Sequence, residues 1–179
     1  MKIEQDFPLV EDILGGFADI IGPDLPAYRN HVYRVINLCC SLGTFSEVDK
    51  QKIQIAACFH DIGIWTAATL DYLAPSEADA AAYLRSRGQQ EWIAEIVEMI
   101  EMHHALRSRA DSPHALVEPF RRADIADFSL GLVPMGIDRA VIAAVKAAFP
   151  NAGFHKRLAR LGSKWLLTHP FNPLPMFRR

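Results

Sequence analysis

The fold is decided by one apolar stretch that ends in two polar residues: Ile53-Gln54-Ile55-Ala56-Ala57-Cys58-Phe59-His60-Asp61-Ile62-Gly63. Its composition predicts a buried helix, with the doublet His60-Asp61 at the carboxyl end. A carboxylate is disfavoured at that end because the helix dipole is negative there. Burying an imidazole and a carboxylate is costly unless each is paired or bound to a cation. The stretch therefore predicts a helix that delivers two ligands to a cation.

Outward from this stretch, the sequence predicts helices and no convincing strand. Ser46 and Asp49 have capping-box spacing at the start of the doublet's helix, and Pro26 suits the first turn of the helix before it. The predicted helices cover 7–21, 26–42, 47–61, 76–88 (capped by Ser76-Glu77-Ala78-Asp79), 90–104, 114–130, 138–149 and 154–168. The fold class is thus all-α, a single compact helical bundle over residues 1–179. Its proline-rich tail, 169–175, is predicted to be non-helical and to pack on the body.

Two further polar residues stand in apolar helical surroundings. His31 shares a helix face with Val35 and Leu38, and Asp124 lies in the predicted helix 114–130. Together with the doublet they make two imidazoles and two carboxylates, a set that suits Mn, Fe, Ni, Co or Zn as a divalent ion, and Mg less well. Such a set leaves coordination positions open for water and substrate.

The order of these residues resembles the HD-domain superfamily of metal-dependent phosphohydrolases. That pattern is a His, then a His-Asp doublet, then a distant Asp, each on a different helix of an all-α core. Here His31, His60-Asp61 and Asp124 match it over a core of about residues 27–130. The resemblance implies an HD-like fold and a metal held by these four residues. It implies little about the substrate, because members act on very different molecules.

The pair His103-His104 bears on the number of metals. The resemblance implies that members with two metals carry extra histidines in this region and usually another early in the preceding helix. No histidine occurs in residues 72–77, where Glu77 is the only possible substitute. We therefore predict one metal per chain.

Neighbouring residues on a helix point about 100° apart, so only one histidine of the pair is expected to face the site. His104 continues the apolar stripe that includes Ile100, which predicts that His104 is the inward, catalytic residue, as a general acid or hydrogen-bond donor. His103 is predicted to bind substrate. The resemblance also gives Asp61 two roles, metal ligand and acceptor of the water proton.

Two cations are predicted to bind substrate. Arg34 follows His31 by three residues and Arg121 precedes Asp124 by three, so each lies near a ligand-bearing face. Most surface cations are merely solvated, which is the alternative for both. Asp127 is predicted either to support the site from behind or to lie on the surface.

The leading functional hypothesis is a metal-dependent phosphohydrolase acting on a small nucleotide or another phosphate ester. One alternative is an HD-like hydratase of a small nitrile, which needs one metal and an apolar pocket. An HD-like oxygenase with two irons needs a larger ligand set than this sequence offers. A third alternative is a non-catalytic module that binds a metal or ligand.

Composition indicates which classes of partner the protein is not expected to bind. The net charge of −2 gives no general attraction to a nucleic-acid polymer or an anionic membrane, and no apolar run approaches the ~20 residues of a membrane span. The three cysteines, Cys39, Cys40 and Cys58, lie in apolar stretches without metal-site spacing, which predicts free thiols and a cytoplasmic protein. A small-molecule substrate is expected; the oligomeric state is left open.

Overall fold

The computed structural model describes residues 2–172 and 175–177. All regular structure within them is helical, which confirms the all-α prediction. The α-helices are α1 (Pro8–Gly15), α2 (Ala18–Ile21), α3 (Leu25–Cys40), α4 (Glu47–Phe59), α5 (Gly63–Thr66), α6 (Leu73–Ser86), α7 (Ile93–Met102), α8 (Val117–Phe128), α9 (Arg139–Ala148) and α10 (Phe154–Thr168). Short 3-10 helices form at Gly22–Asp24, Gln90–Trp92 and Pro175–Phe177.

Helix α3 lies at the centre of the core. It packs against α4, α8 and α9, while α7 packs against α4, α6 and α8. The apolar residues of these helices form one buried cluster, which removes their surface from water. This packing brings three helices together at the places where their polar residues lie: His31 in α3, His60 directly after α4, and Asp124 in α8.

The start of α4 confirms the capping box. The Ser46 side chain accepts a hydrogen bond from the Asp49 backbone N–H, and the Asp49 carboxylate accepts one from the Ser46 backbone N–H. Two backbone donors at the helix start are thereby satisfied. Because α4 ends at Phe59, the doublet follows the helix rather than belonging to its last turn.

Two predicted boundaries are wrong. The single helix expected over 7–21 is two helices, α1, which ends at Gly15, and α2, which begins at Ala18. The adjacent glycines Gly15 and Gly16 lie at this break and weaken a helix interior.

Helix α6 begins at Leu73, so Ser76 is not a cap but a buried residue inside the helix. Its hydroxyl accepts a hydrogen bond from the Gly63 N–H, at 2.9 Å. A Cβ atom at Gly63 would lie only 2.5 Å from the Tyr72 carbonyl oxygen. The absence of a side chain at Gly63 therefore allows the segment after the doublet to lie against the start of α6.

Helix α10 and the tail make separate contacts with the rest of the protein. Phe154 is the one fully buried residue of α10, and its ring stacks on His31 with centroids 4.2 Å apart. In the tail, residues 169–172 are non-helical, as predicted, and a 3-10 helix follows at Pro175–Phe177. Met176 packs beside an apolar cluster that includes Tyr72. Pro173 and Leu174, which belong to the predicted tail, lie outside the described residues.

The three cysteines are free thiols, as predicted, with Cys39 and Cys58 buried and Cys40 half-buried. Burial raises the pKa of the Cys39 and Cys58 thiols. Across the described part of the chain, no helix combines the length and the apolar character needed to cross a membrane.

Candidate metal centre

The structure brings the four predicted ligands together. His31 Nε2 lies 2.9 Å from His60 Nε2, 3.5 Å from Asp124 Oδ1 and 3.7 Å from Asp61 Oδ2. His60 Nε2 lies 3.5 Å from the same two carboxylate oxygens. All four residues are buried, at most 4% exposed. Ligand atoms that bind one ion at about 2.1 Å are roughly 3.0–3.4 Å apart, so these separations suit a shared ion.

Hydrogen bonds behind the two histidines fix which nitrogen faces the centre. His60 Nδ1 donates to the Ala57 carbonyl at 2.9 Å, and His31 Nδ1 donates to Asp127 Oδ2 at 2.7 Å. In the neutral imidazoles, both Nε2 atoms therefore carry lone pairs that point at each other and at two carboxylates. Such an arrangement is repulsive unless a metal ion, or a proton on one Nε2, lies between the lone pairs. The donor set fits a divalent metal ion.

Charges within the cluster shift its pKa values strongly. Burial alone would lower the pKa of His60, but the carboxylates of Asp61 and Asp124 outweigh it and raise that pKa to about 9. Burial alone would raise the pKa of Asp61, but the neighbouring His60, His103 and His31 hold it well below its ordinary value. Both carboxylates are therefore ionised at neutral pH, and a metal that binds here would displace the proton held by His60.

Both histidines of the pair reach the carboxylates, contrary to the prediction that only one would, but among the described residues it is His104 and not His103 that lines the cavity, as predicted. His103 Nε2 lies 3.6 Å from Asp61 Oδ1, His104 Nδ1 lies 3.7 Å from Asp124 Oδ2, and the two rings are 3.9 Å apart. The pair lies at the carboxyl end of α7, which ends at Met102.

The pair completes a second possible ligand group. Asp61, His103 and His104 form one group that could hold a metal ion, and His31, His60 and Asp61 form another, so the two share Asp61. Three buried atoms in this region have no hydrogen-bond partner: Asp61 Oδ1, Asp124 Oδ2 and His103 Nε2. Unpartnered buried polar atoms are costly, and a cation would satisfy them.

His104 is poorly suited to the predicted role of general acid. Burial and the neighbouring His103 lower its pKa to about 3, so the ring is neutral at pH 7. Its Nε2 lies 2.7 Å from the Tyr72 hydroxyl. The geometry therefore favours a ligand or hydrogen-bonding role. Sequence reasoning missed Tyr72, since no local pattern distinguishes this tyrosine from a core residue.

Arg34 does not reach the site as a substrate-binding residue. It is 2% exposed, and its guanidinium donates to both carboxylate oxygens of Asp127, at 2.6 and 2.9 Å, and to the Phe149 carbonyl at 3.1 Å. Asp127 in turn supports His31. Arg34 therefore balances the charge of the carboxylate that orients a predicted ligand, and Asp127 is a buried supporting residue, the first of its two predicted roles.

Arg121, the second arginine predicted to bind substrate, is also paired with other protein groups. Its guanidinium donates two hydrogen bonds to the Glu118 carboxylate, at 2.7 and 2.8 Å, and one to the Ala105 carbonyl at 2.8 Å. Arg121 thus holds the turn that directly follows His104. Because its N–H groups already bind Glu118 and Ala105, no pair of them is free to bind a phosphate.

A cavity of about 300 Å³ opens beside the ligands. One side is polar, formed by His31, Asp61, Tyr72, His104 and Asp124. The other side is mainly apolar and comes from α10, the tail and two neighbouring segments. Within residues 2–172 and 175–177, neither lysine nor arginine lines this cavity.

Comparison with known proteins places the site within a family. The family model for the HD domain matches residues 28–142, more than half of the chain. The chain belongs to the HD domain family. The resemblance seen in the sequence is thereby confirmed, and it places the chain in the superfamily of metal-dependent phosphohydrolases. No curated protein and no solved structure matches the chain. All four predicted ligands lie within the matched residues, whereas α10 lies outside them.

Proposed function

We propose that this HD domain protein is a metal-dependent phosphohydrolase that cleaves a phosphate ester with a metal-activated water. The observation that supports this most directly is the convergence of His31, His60, Asp61 and Asp124 from separate helices beside a cavity. A divalent transition ion bound by these residues supplies a water of lowered pKa and positive charge at the phosphoryl oxygen.

The protein side chains position the reaction. Asp61 lines the cavity, and its Oδ1 has no hydrogen-bond partner, so this oxygen is available to accept the proton of the attacking water. Asp127 and the Ala57 carbonyl hold His31 and His60 in the ligand orientation. Tyr72 has a buried hydroxyl whose pKa is raised, first by burial and then by Asp61, so it remains a hydrogen-bond donor near the transferring group.

We propose that the protein binds one metal ion per chain. The residues that would hold it are His31, His60, Asp61 and Asp124. The group Asp61, His103 and His104 is the place where a second ion would bind. Elemental analysis of the purified protein decides between the two counts. A ratio of two metals per chain would overturn the single-metal choice.

A second candidate reaction, hydration of a small nitrile, is favoured by one observation. The cavity lacks lysine and arginine among the described residues that line it, and much of its wall is apolar. A neutral substrate of that kind needs no phosphate-binding cation. Its reacting carbon would meet the same metal-activated water.

The decisive experiment is a substrate screen of the purified protein with Mn, Fe, Co, Ni, Zn or Mg. Nucleotides, simple phosphate esters and small nitriles are each incubated with wild-type protein and with Asp61→Asn. Metal-dependent phosphate release that is lost in Asp61→Asn supports the proposal. Amide formation from a nitrile supports the second candidate. Metal binding without turnover of any compound would leave a non-catalytic binding module.

A further inference from the structure

The cavity beside the ligands is divided into two chemically different halves. Its polar atoms are gathered at the metal-ligand cluster and the adjoining Tyr72 and His104. The rest of the cavity lining is mainly apolar and includes six apolar residues: Leu70, Phe128, Phe154, Leu158, Ala159 and Met176. Half of these come from α10. A molecule that fills the cavity therefore meets polar groups at the candidate ligands and apolar side chains over most of the remaining wall.

The apolar half offers little that would recognise a charged or strongly polar group. His155 is the polar side chain on that side, but its Nε2 donates to the Phe128 carbonyl and its Nδ1 accepts from the Asn151 amide. The buried arginines nearest in sequence to the ligands, Arg34 and Arg121, are held by Asp127 and Glu118. Desolvating a nucleobase, a ribose or further phosphates there without partners would be unfavourable.

We infer that the substrate carries an uncharged, apolar group that occupies the α10 half of the cavity, with only its reacting end at the ligands. The nature of that reacting end rests on the proposed function; the apolar group does not. This narrows the phosphate esters considered above to those of an apolar alcohol or phenol and disfavours nucleotides.

Gly162 allows a direct test of the apolar half. It lines the cavity from α10, and a Cβ atom at this position would meet no other atom within 4 Å. A leucine there extends into the space without an initial clash, and replacing a helix-interior glycine improves helix propensity. The variant Gly162→Leu therefore reduces the volume of the apolar half and leaves the candidate metal ligands unchanged.

Ser163 provides the matched control. It is the next residue of α10, it is exposed, and it lines no part of the cavity. Its side chain points about 100° away from that of position 162. The variant Ser163→Leu adds the same side chain to the same helix outside the cavity.

The experiment measures binding by calorimetry for two series of unreactive or slowly reacting probes on metal-loaded protein. One series is methyl- to hexylphosphonate, and the other is the n-alkyl nitriles of the same chain lengths. For the series whose head group binds, we expect affinity to rise about fourfold per methylene in wild type and Ser163→Leu. In Gly162→Leu, the rise is expected to disappear beyond the shortest members.

Each outcome decides a separate point. Affinity that does not depend on chain length in either series, or a length dependence that Gly162→Leu retains, would overturn the inference. Length-dependent nitrile binding with no phosphonate binding supports the apolar group but removes the phosphohydrolase proposal. Tighter binding of adenosine monophosphate than of hexylphosphonate also overturns the inference. If Gly162→Leu does not fold, the wild-type length dependence remains a sufficient test.

Discussion

The helices that carry the candidate ligands and α10 both line one cavity, yet they are built in different ways. His31 and His60 are at most 1% exposed and are each held from behind by a hydrogen bond. In α10, Phe154 alone is fully buried. The positions of the candidate ligands thus depend on many buried partners, whereas the position of α10 depends on few. Changes at the candidate ligands should remove the reaction or weaken the fold, and changes in α10 should alter which molecule binds.

The largest effect is expected at Asp61, which both possible ligand groups share. Asp61→Ala removes a ligand, a charge and the proposed proton acceptor together, so turnover should fall by about a thousandfold or more. Metal affinity, measured by calorimetry, should fall as well. The exposed Asp71→Ala serves as control. Normal turnover in a folded Asp61→Ala protein would contradict the mechanism.

Asp127 tests the support behind the ligands. Asp127→Ala leaves the Arg34 guanidinium buried without its carboxylate, and breaking a buried ion pair in this way costs about 3–5 kcal/mol of unfolding free energy. Urea denaturation measures the loss.

Asp138→Ala, which removes only a helix cap at α9, should cost about 1 kcal/mol. The double variant Arg34→Met with Asp127→Ala should recover part of the loss, because no unpaired charge remains. A double variant that is no more stable than Asp127→Ala would show that the charge is not the cause.

The paired histidines should give a smaller effect. Since both rings reach the carboxylates, His103→Ala and His104→Ala should each lower turnover by about 10- to 100-fold. This differs from the sequence-based expectation of a large effect for His104 alone. His114→Ala, a half-buried histidine paired with Glu98, is the control. Turnover that falls only in His104→Ala would restore the earlier expectation.

The smallest effect concerns Glu118, which positions Arg121 and, through it, the turn after His104. Hydrogen bonds from Arg121 lower the pKa of Glu118 from 4.5 to about 2. A lowered pKa stabilises the fold above pH 4.5, and the contribution is lost as the pH falls towards 2. Because the side chain is partly exposed, we expect about 1 kcal/mol at pH 7.

Urea denaturation of wild type and Glu118→Gln at pH 7, 4 and 2.5 measures this contribution. The difference between the two proteins should shrink at each step. A difference that stays constant with pH would mean that the ion pair does not stabilise the protein.

The sequence predicted what depends on local pattern. Helical periodicity, the capping box at Ser46 and the four candidate ligand residues are all visible in the sequence. It did not predict the partners of Arg34 and Arg121, because these depend on which helices pack together. It also did not predict that His103 lies near Asp61, because that contact depends on how α7 packs against the segment after α4. The apolar wall from α10 was not predicted, because an amphipathic pattern does not show what its apolar face covers.

The stacking of Phe154 on His31 has a consequence for protein engineering. It joins α10 to α3 by an aromatic contact, with ring centroids 4.2 Å apart. The residues of α10 that face the cavity beyond it, such as Leu158 and Gly162, are not among the ligands or their hydrogen-bond partners. A library that keeps Phe154 and varies those positions would change recognition while leaving reactivity intact, so selection for new substrates can be confined to one helix.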